Sequence, residues 1–457
     1  MSKAQAIGKR GGSGYFKKIL FFAIPLMITG ILQSLYSAAD LVVVGRFEGE
    51  VALAAVGSTG ALTNLILGLF MGLSVGAGVC VAHSVGAKRY DDVEKTLHTA
   101  VATALMLGVF IGIVGFILAP QMLHVMDTPD DVIDMASLYV RIIFLGAPAA
   151  VLYNYCAAML RAVGDSKRPL LFLAVSGLLN VALNVILVAG FHMGVAGVAI
   201  GTIASQFMSA VLIMTYMCRT QGYLNFSFKK LRIHKDKLSK ILKIGIPSGV
   251  QGSLFSLSNV IIQSSINGFG SVVMSGSSAA ANIENLYYVA YNAFYQGALT
   301  FVGQSVGAKR FGDIKKIILR SITIMMMFAV VLTGLGLIFR DQLLGLYLPD
   351  STEALEAASV RFMIVVTTQF LCPIMEIGSG TLRGMGRSIS SAIISLIGAC
   401  LFRVVWISTV FEHFRTPECI YIVYPISWLL TAAVLYICAF FAVKKEMRHQ
   451  YLHDRLK

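Results

Sequence analysis

The stretch SVGAKRYDDVEK, residues 84–95, occurs a second time as SVGAKRFGDIKK at residues 305–316. The second copy begins 221 residues after the first, and eight of its twelve positions are identical. A second segment, LRAVGDSKRP at 160–169, is matched at an offset of 222 by LRGMGRSISS at 382–391. This repetition indicates a chain built from two related halves that follow one another.

The composition places these halves in a membrane. Hydrophobic residues make up 57% of the 457 residues and charged residues only 13%, and the mean hydropathy is +0.77. A membrane-spanning helix needs about 20 apolar residues. Segments of that length fall near 16–45, 53–82, 96–119, 134–158, 169–190, 194–217, 241–267, 274–302, 317–338, 354–381, 389–411 and 420–443. We therefore expect an all-α integral membrane protein with about twelve transmembrane helices.

The charge pattern predicts the orientation of the spans. Basic residues recur in alternate connections, including both SVGAKR loops, whereas connections such as MDTPDD at 126–131 are acidic. The positive-inside rule then predicts a multi-pass membrane protein with both termini in the cytoplasm. We expect two six-helix bundles of parallel orientation, at 1–222 and 241–457, joined by a basic cytoplasmic linker at 223–240 and separated by a central cleft.

Other classes of protein fit the pattern less well. The net charge of +14 is dispersed in short clusters between apolar runs, which disfavours nucleic-acid binding. The seven cysteines form no CxxC pair, and the chain contains no nucleotide-binding or hydrolase motif. We therefore predict no enzyme activity and no cofactor, and we expect transport whose energy comes from an ion gradient or from a partner protein. A membrane receptor or scaffold is an alternative, although it would not require two equivalent bundles.

Few carboxylates fall inside the predicted spans, and such residues are functional candidates because a charge in hydrocarbon is costly. Asp40 in the first span is predicted to gain and lose a proton, or to accept a cation, as the cleft opens. Alternatively, it reaches water or pairs with Arg46. Glu284 either lines the cleft or belongs to a structural pair, and the same question is open for Glu376.

Asn180 and Asn184 lie four residues apart in the fifth span and therefore on one helix face. Their amide oxygens, with the carboxylate of Asp40 and the hydroxyl of Thr202, could coordinate a hard cation such as Na⁺. The alternative is that the asparagines only hydrogen-bond neighbouring helices.

Aromatic residues accompany the acids. A set predicted to line the substrate cleft, where aromatic faces could hold an organic cation, comprises Tyr36, Glu284, Tyr287, Tyr291 and Tyr295. The tyrosines could equally be ordinary helix packing.

Over nearly its full length the chain resembles the multidrug and toxic compound extrusion (MATE) family. The resemblance rests on IPLMITGILQSLYSAADLVVVGRF in the first span, the HSVGAKR and GQSVGAK loops, LRAVGDSKRP, and LNVALNVILVAGFHMGVAGVAIGT. It implies a monomeric antiporter of the bacterial cytoplasmic membrane that exports small, often cationic organic compounds and drugs in exchange for H⁺ or Na⁺. The exchange would use alternating access, with the two bundles rocking about the central cleft. It also implies that Asp40, Asn180, Asn184 and Thr202 form the coupling site.

The chain departs from the family pattern at Asn184, where such relatives commonly carry Asp, and this makes a proton or a weaker cation site more plausible. A lipid-linked oligosaccharide flippase of the same superfamily is the alternative function. It would require a cationic cleft, and the intramembrane residues Arg141 and Arg403 keep it open. The substrate, the coupling ion and the roles of Glu376, Arg141 and Arg403 do not follow from the sequence.

Overall fold

The computed structural model describes residues 12–126, 128–348 and 351–455. Within these ranges the regular secondary structure is helical. The α-helices are α1 Gly12–Phe47, α2 Gly49–Gly86, α3 Tyr90–Val125, α4 Asp130–Leu145, α5 Ala147–Ala162, α6 Lys167–Asn184, α7 Gly194–Arg219, α8 Lys235–Asn267, α9 Ser271–Gly307, α10 Phe311–Ile338, α11 Arg340–Gly345, α12 Thr352–Arg361, α13 Leu371–Gly384, α14 Ser388–Ser395, α15 Phe402–His413 and α16 Pro417–Arg455. Three π-helical segments, Val185–Gly190, Phe362–Val366 and Leu396–Leu401, continue or join α-helices.

Many of these helices are suited to crossing a membrane. In the described ranges, eight helical segments are long and apolar enough, some of them made of α-helices joined through a π-helical turn. The helices α4 and α5 pass the same test only as a pair, which bends by 49° at Gly146. The helices α2, α8 and α9 have 38, 33 and 37 residues and also exceed the length of a bilayer core. Serine, asparagine and glutamine side chains inside α8 and α9 lower the hydropathy of those two helices.

The repeat seen in the sequence is also present in the backbone. Lys88 and Lys309 occupy the same position of the two SVGAKR loops, and their φ angles are +57° and +56°. Gly164 and Gly386, which end the two LRxxG segments, have φ angles of +91° and +79°. Positive φ is uncommon for a lysine, so its occurrence at both equivalent positions shows that the two halves build the same turn.

The chain separates into two compact units, and the second unit is made of two separate stretches of the sequence. The first unit contains the segment Ile28–Gly249, and the second contains α1 up to Met27 together with the chain from Val250 onwards. The division points in α1 and α8 are 222 residues apart, which is the offset of the repeat. In each half, therefore, the first helix contributes residues to both units. The boundary between the units falls shortly after Pro25 in α1 and shortly after Pro247 in α8.

In the first unit, helices approach closely where glycines face them. A Cβ atom on Gly72 of α2 would lie 2.2 Å from the backbone of Gly249 in α8, and one on Gly108 of α3 would lie 2.5 Å from Pro148 in α5. The helices can pack at these distances because neither glycine carries a side chain.

In the second unit, α9 packs against α12 and α13, and α13 packs against α16. The start of α1 joins this core through Ile19 and Phe22, and the ring of Phe22 meets that of Phe301 edge-on at 5.3 Å.

The basic linker docks on the beginning of α3 in the first unit. Lys230 and Lys237 form ion pairs with Glu94 and Asp92 at 2.7 and 2.5 Å. The side chain of Lys237 is only 8% exposed, and its charge is compensated by Asp92 at 2.5 Å and by Asp236 at 3.4 Å.

Candidate functional site

The candidate site of the first unit is assembled from α1, α6 and α7. Asp40 lies on α1, Asn180 and Asn184 lie on α6, and Thr202 lies on α7. Asp40 is half-buried, and the two asparagines are 4% and 0% exposed. The structure therefore brings together the four residues that the sequence predicted as a coupling site, although they are up to 162 positions apart.

Hydrogen bonds connect the four side chains. Asn184 Nδ2 donates to Asp40 Oδ1 at 2.5 Å, and Thr202 Oγ1 lies 3.4 Å from Asp40 Oδ2. Asn180 Nδ2 donates to Thr202 Oγ1 at 3.4 Å. The amide N–H of Asn184 thus faces the carboxylate, which is the orientation that suits an ionised Asp40.

Each asparagine has one buried oxygen atom that accepts no hydrogen bond. The Oδ1 atoms of Asn180 and Asn184 are both without a partner in the described structure. Buried amide oxygens are normally satisfied, so two unsatisfied ones beside a single carboxylate call for an explanation. Because the oxygen and nitrogen of an amide occupy similar positions, rotation of the amide would turn Oδ1 towards Asp40. The set can therefore offer oxygen ligands to Na⁺, or an acceptor to a protonated carboxyl group.

Two glycines make this arrangement possible. A Cβ atom on Gly201 of α7 would lie 2.1 Å from Asn184 Oδ1, and one on Gly177 of α6 would lie 1.8 Å from the ring of Tyr36. Tyr36 donates a hydrogen bond to the carbonyl oxygen of Ala174 at 3.3 Å. Tyr36, which the sequence predicted as a substrate residue, therefore packs on α6 one turn before Asp40 on α1.

The surroundings of Asp40 include a residue that the sequence reasoning missed. Tyr139 of α4 lies within electrostatic range of the Asp40 carboxylate. No spacing in the sequence connects the two residues, since α4 reaches the site only through tertiary packing. The proposed alternative partner, Arg46, is exposed, and none of the ion pairs found in the described ranges involves Asp40.

The other predicted substrate residues lie in the second unit. Glu284 forms a bidentate ion pair with Arg361 through contacts of 2.6 and 2.8 Å. Tyr287, Tyr291 and Tyr295 are all buried, at 6%, 1% and 5% exposure. The structure thus places these tyrosines in the packed interior of the second unit.

The hydroxyls of these tyrosines are partly engaged. Tyr287 donates to the carbonyl oxygen of Leu332 at 2.8 Å, and Tyr295 accepts a hydrogen bond from Arg383 at 2.6 Å. Of the residues whose role the sequence left open, Glu376 interacts electrostatically with Arg383, and the Arg141 guanidinium lies 5.6 Å from the ring centre of Phe116.

Comparison with known proteins accounts for this architecture. The family model MatE matches residues 25–186 and, a second time, residues 247–407. The chain belongs to the MATE family. The two matches cover the two halves of the repeat, so the family unit itself is duplicated in this MATE protein.

Individual relatives agree over most of their length. The chain is 28% identical over 451 residues to the probable multidrug resistance protein YoeA of Bacillus subtilis, with 96% of each chain covered. It is 23% identical over 401 residues to the multidrug export protein MepA of Staphylococcus aureus, with 86% and 87% covered. An outward-facing multidrug resistance MATE transporter of the MOP superfamily superposes with a TM-score of 0.88 at 22% identity, covering 96% of this chain and 100% of that one. The predicted fold class, an all-α membrane protein of two repeated bundles, is confirmed.

Proposed function

We propose that this MATE protein is a secondary active antiporter of the bacterial cytoplasmic membrane that exports organic, often cationic compounds in exchange for H⁺ or Na⁺. The relatives named as multidrug resistance and export proteins support the substrate class. The observation that carries the coupling role is the set of Asp40, Asn180, Asn184 and Thr202, in which a single carboxylate lies beside two unsatisfied amide oxygens.

In the proposed cycle, Asp40 alternates between two partners. When it is ionised, the N–H of Asn184 donates to it, as in the observed geometry. When H⁺ or Na⁺ enters, Asp40 is neutralised, the Asn184 amide rotates, and its Oδ1 accepts from the proton or contacts the ion. This change alters the contacts among α1, α6 and α7, and we propose that it favours the conformation that releases the exported compound.

The energy source is the ion gradient across the membrane. One charge that moves through 100 mV provides about 2.3 kcal/mol, which corresponds to an accumulation ratio of roughly fifty. One monovalent cation neutralises the single carboxylate of the site, so a stoichiometry of one ion per cycle fits its charge. We propose that both termini face the cytoplasm, because the basic loops and the basic linker would then lie on that side.

The test is efflux from proteoliposomes under separately imposed Na⁺ and pH gradients, with rhodamine 6G as the fluorescent organic cation. Asp40→Asn is expected to abolish the gradient-driven part of the efflux. Asp341→Asn is the matched control, because Asp341 is 63% exposed and pairs only with Arg340 in the described structure. Equal gradient responses of wild type and Asp40→Asn would refute the coupling role. Absence of rhodamine efflux in the wild type, together with movement of lipid-linked pyrophosphates, would favour the flippase instead.

A further inference from the structure

In the described part of the second unit, one buried arginine, Arg403, belongs to no ion pair. Arg403 of α15 is 2% exposed. Its Nε donates to Ser427 Oγ at 3.0 Å and its Nη1 to Asn259 Oδ1 at 3.5 Å, while in the described residues Nη2 finds no acceptor. The rings of Tyr424 and Trp428 lie 4.4 and 5.8 Å from the guanidinium carbon. Aromatic faces stabilise a cation but leave its charge in place.

The acidic residues of this unit's spans do not neutralise Arg403. Glu284 lies within electrostatic range of Arg403, but both of its carboxylate oxygens are hydrogen-bonded to Arg361. The charged partner of Glu376 is Arg383. None of the ion pairs in the described ranges includes Arg403. One positive charge therefore remains uncompensated inside the helices. An uncompensated charge in a membrane interior is costly. An anion bound at Arg403 would remove this cost.

The repeat relates this position to the candidate site of the first unit. In the first half, the charged group is held by α1, α6 and α7, and their counterparts in the second half are α8, α14 with α15, and α16. Thr202, which contacts Asp40, is matched at the offset of 222 by Tyr424, which packs on Arg403. The hydroxyl partner Ser427 is matched in the same way by Ser205. Each half thus builds a polar site from the same three helices of the repeat.

The two sites differ in the sign of their charge and in the helix that provides it. In the first half, α1 carries the acidic residue Asp40, and α6 carries the amides of Asn180 and Asn184. In the second half, α8 carries the amide of Asn259, and α15 carries the basic residue Arg403. A π-helical segment adjoins each site, as Val185–Gly190 directly follows Asn184 and Leu396–Leu401 ends two residues before Arg403. Such segments are rare and occur frequently at functional sites.

We propose that the second half binds a carboxylate group at Arg403, as the charge-reversed counterpart of the cation site in the first half. The single excess positive charge suits a monoanion. Arg403 Nη2 and Asn259 Nδ2 are both without acceptors in the described structure, and together they provide the two donors that a planar carboxylate takes. Asn259 is exposed, so an anion can approach from its side.

The source of the carboxylate is the exported compound itself, an inference that rests on the proposed function. An amphoteric compound would then be recognised through its anionic group as well as its cationic group. A cavity of about 480 Å³ offers room for the remainder of such a molecule further along the same two helices. Ser264 and Ser408 line it, each five residues beyond Asn259 or Arg403, which is about 7.5 Å along a helix.

Direct binding tests the site without reference to transport. The full-length protein in nanodiscs, in chloride-free buffer, is titrated with benzoate, and the affinity is measured by calorimetry. Arg403→Gln is expected to weaken benzoate binding about tenfold or more, and Asn259→Ala about three- to tenfold. Arg340→Gln removes an arginine that is 34% exposed and pairs with Asp341, and it is expected to leave the affinity unchanged.

Since Asn259 is exposed, its variant tests the site even if Arg403→Gln fails to fold. Benzoate affinities of wild type, Arg403→Gln and Asn259→Ala that agree within twofold would overturn the proposal, and so would an unchanged affinity in Asn259→Ala alone should Arg403→Gln not fold.

A pair of dyes tests the source of the carboxylate. Rhodamine 19 carries a free carboxylate that is esterified in rhodamine 6G. Asn259→Ala is expected to reduce efflux of rhodamine 19 at least threefold relative to rhodamine 6G. An equal loss for both dyes, with benzoate binding that millimolar chloride abolishes, would show a chloride site and overturn the carboxylate assignment. Failure of rhodamine 6G efflux in the wild type would count against the proposed function, whereas benzoate binding would still decide the anion site.

Discussion

The ion pair of Glu284 and Arg361 gives a prediction that separates a structural from a substrate-binding role. The two side chains are 13% and 5% exposed, and both carboxylate oxygens are bonded, at 2.6 and 2.8 Å. Glu284→Gln removes the negative charge and leaves the Arg361 guanidinium with Ser277 Oγ, at 2.7 Å, as its remaining side-chain acceptor.

Removal of one partner from a buried pair costs about 3–5 kcal/mol, because the other charge stays buried without compensation. We therefore expect Glu284→Gln to lower the free energy of unfolding by about that amount. Replacement of both partners, as Glu284→Gln with Arg361→Met, is expected to recover most of the loss. Asp341 is 63% exposed in its pair with Arg340, and Asp341→Asn is expected to cost at most about 1 kcal/mol.

The assay is unfolding in mixed micelles, monitored by tryptophan fluorescence. The two tryptophans of the chain, Trp406 and Trp428, both lie in the second unit, so the signal reports on the unit that contains the pair. The structural interpretation would be refuted if Glu284→Gln changed the unfolding free energy by less than about 0.5 kcal/mol, or if the double variant were no more stable than the single one. A higher KM for rhodamine 6G at unchanged stability would instead assign Glu284 to the substrate.

Three further predictions concern the backbone and the linker. Gly201→Ala is expected to displace the Asn184 amide and to reduce ion-driven efflux at least tenfold. Gly190→Ala is the control and should have little effect, because its Cβ would contact nothing within 4 Å. Equal efflux in the two variants would contradict the packing of α7 on Asn184. Gly164→Ala and Gly386→Ala are each expected to destabilise the protein by about 1 kcal/mol because of their positive φ, and Gly312→Ala, measured in the same unfolding assay, should not. Asp92→Asn is expected to increase hydrogen exchange in the linker, because Lys237 loses the nearer of its two carboxylates and keeps only the exposed Asp236. Lys229→Ala should leave the exchange unchanged. Protection that persists in Asp92→Asn would show that the Lys237–Asp92 pair does not hold the linker.

Much of the fold was predictable because the same sequence pattern occurs twice in the chain. The spacing of the apolar runs predicted the spans, and the matching loops predicted two equivalent halves. The nearly equal φ angles of Lys88 and Lys309 agree with that prediction. The division of α1 and α8 between the two units was not predictable, because hydropathy identifies a helix but not the neighbours of its separate parts. The π-helical segments likewise have no distinct apolar pattern.

The candidate site was predictable only in part. The spacing of Asn180 and Asn184 placed both on one face of a helix, and the family resemblance linked that face to Asp40 and Thr202. The direction in which each amide points, and the space that Gly201 leaves for Asn184, depend on packing between helices. For the same reason the sequence could offer two roles for Glu284, while its partner Arg361, 77 residues away, became evident only in the structure.

The central claim is that Asp40 holds the ion that the exported compound displaces. The most direct measurement is ion release from the purified protein on addition of rhodamine 6G, followed as a pH change in weak buffer and as ²²Na⁺ displaced in equilibrium dialysis. The wild type is predicted to release about one ion per bound dye, in keeping with the single carboxylate of the site. Asp40→Asn is predicted to bind the dye without releasing an ion. Release of the same number of ions by Asp40→Asn would contradict the claim.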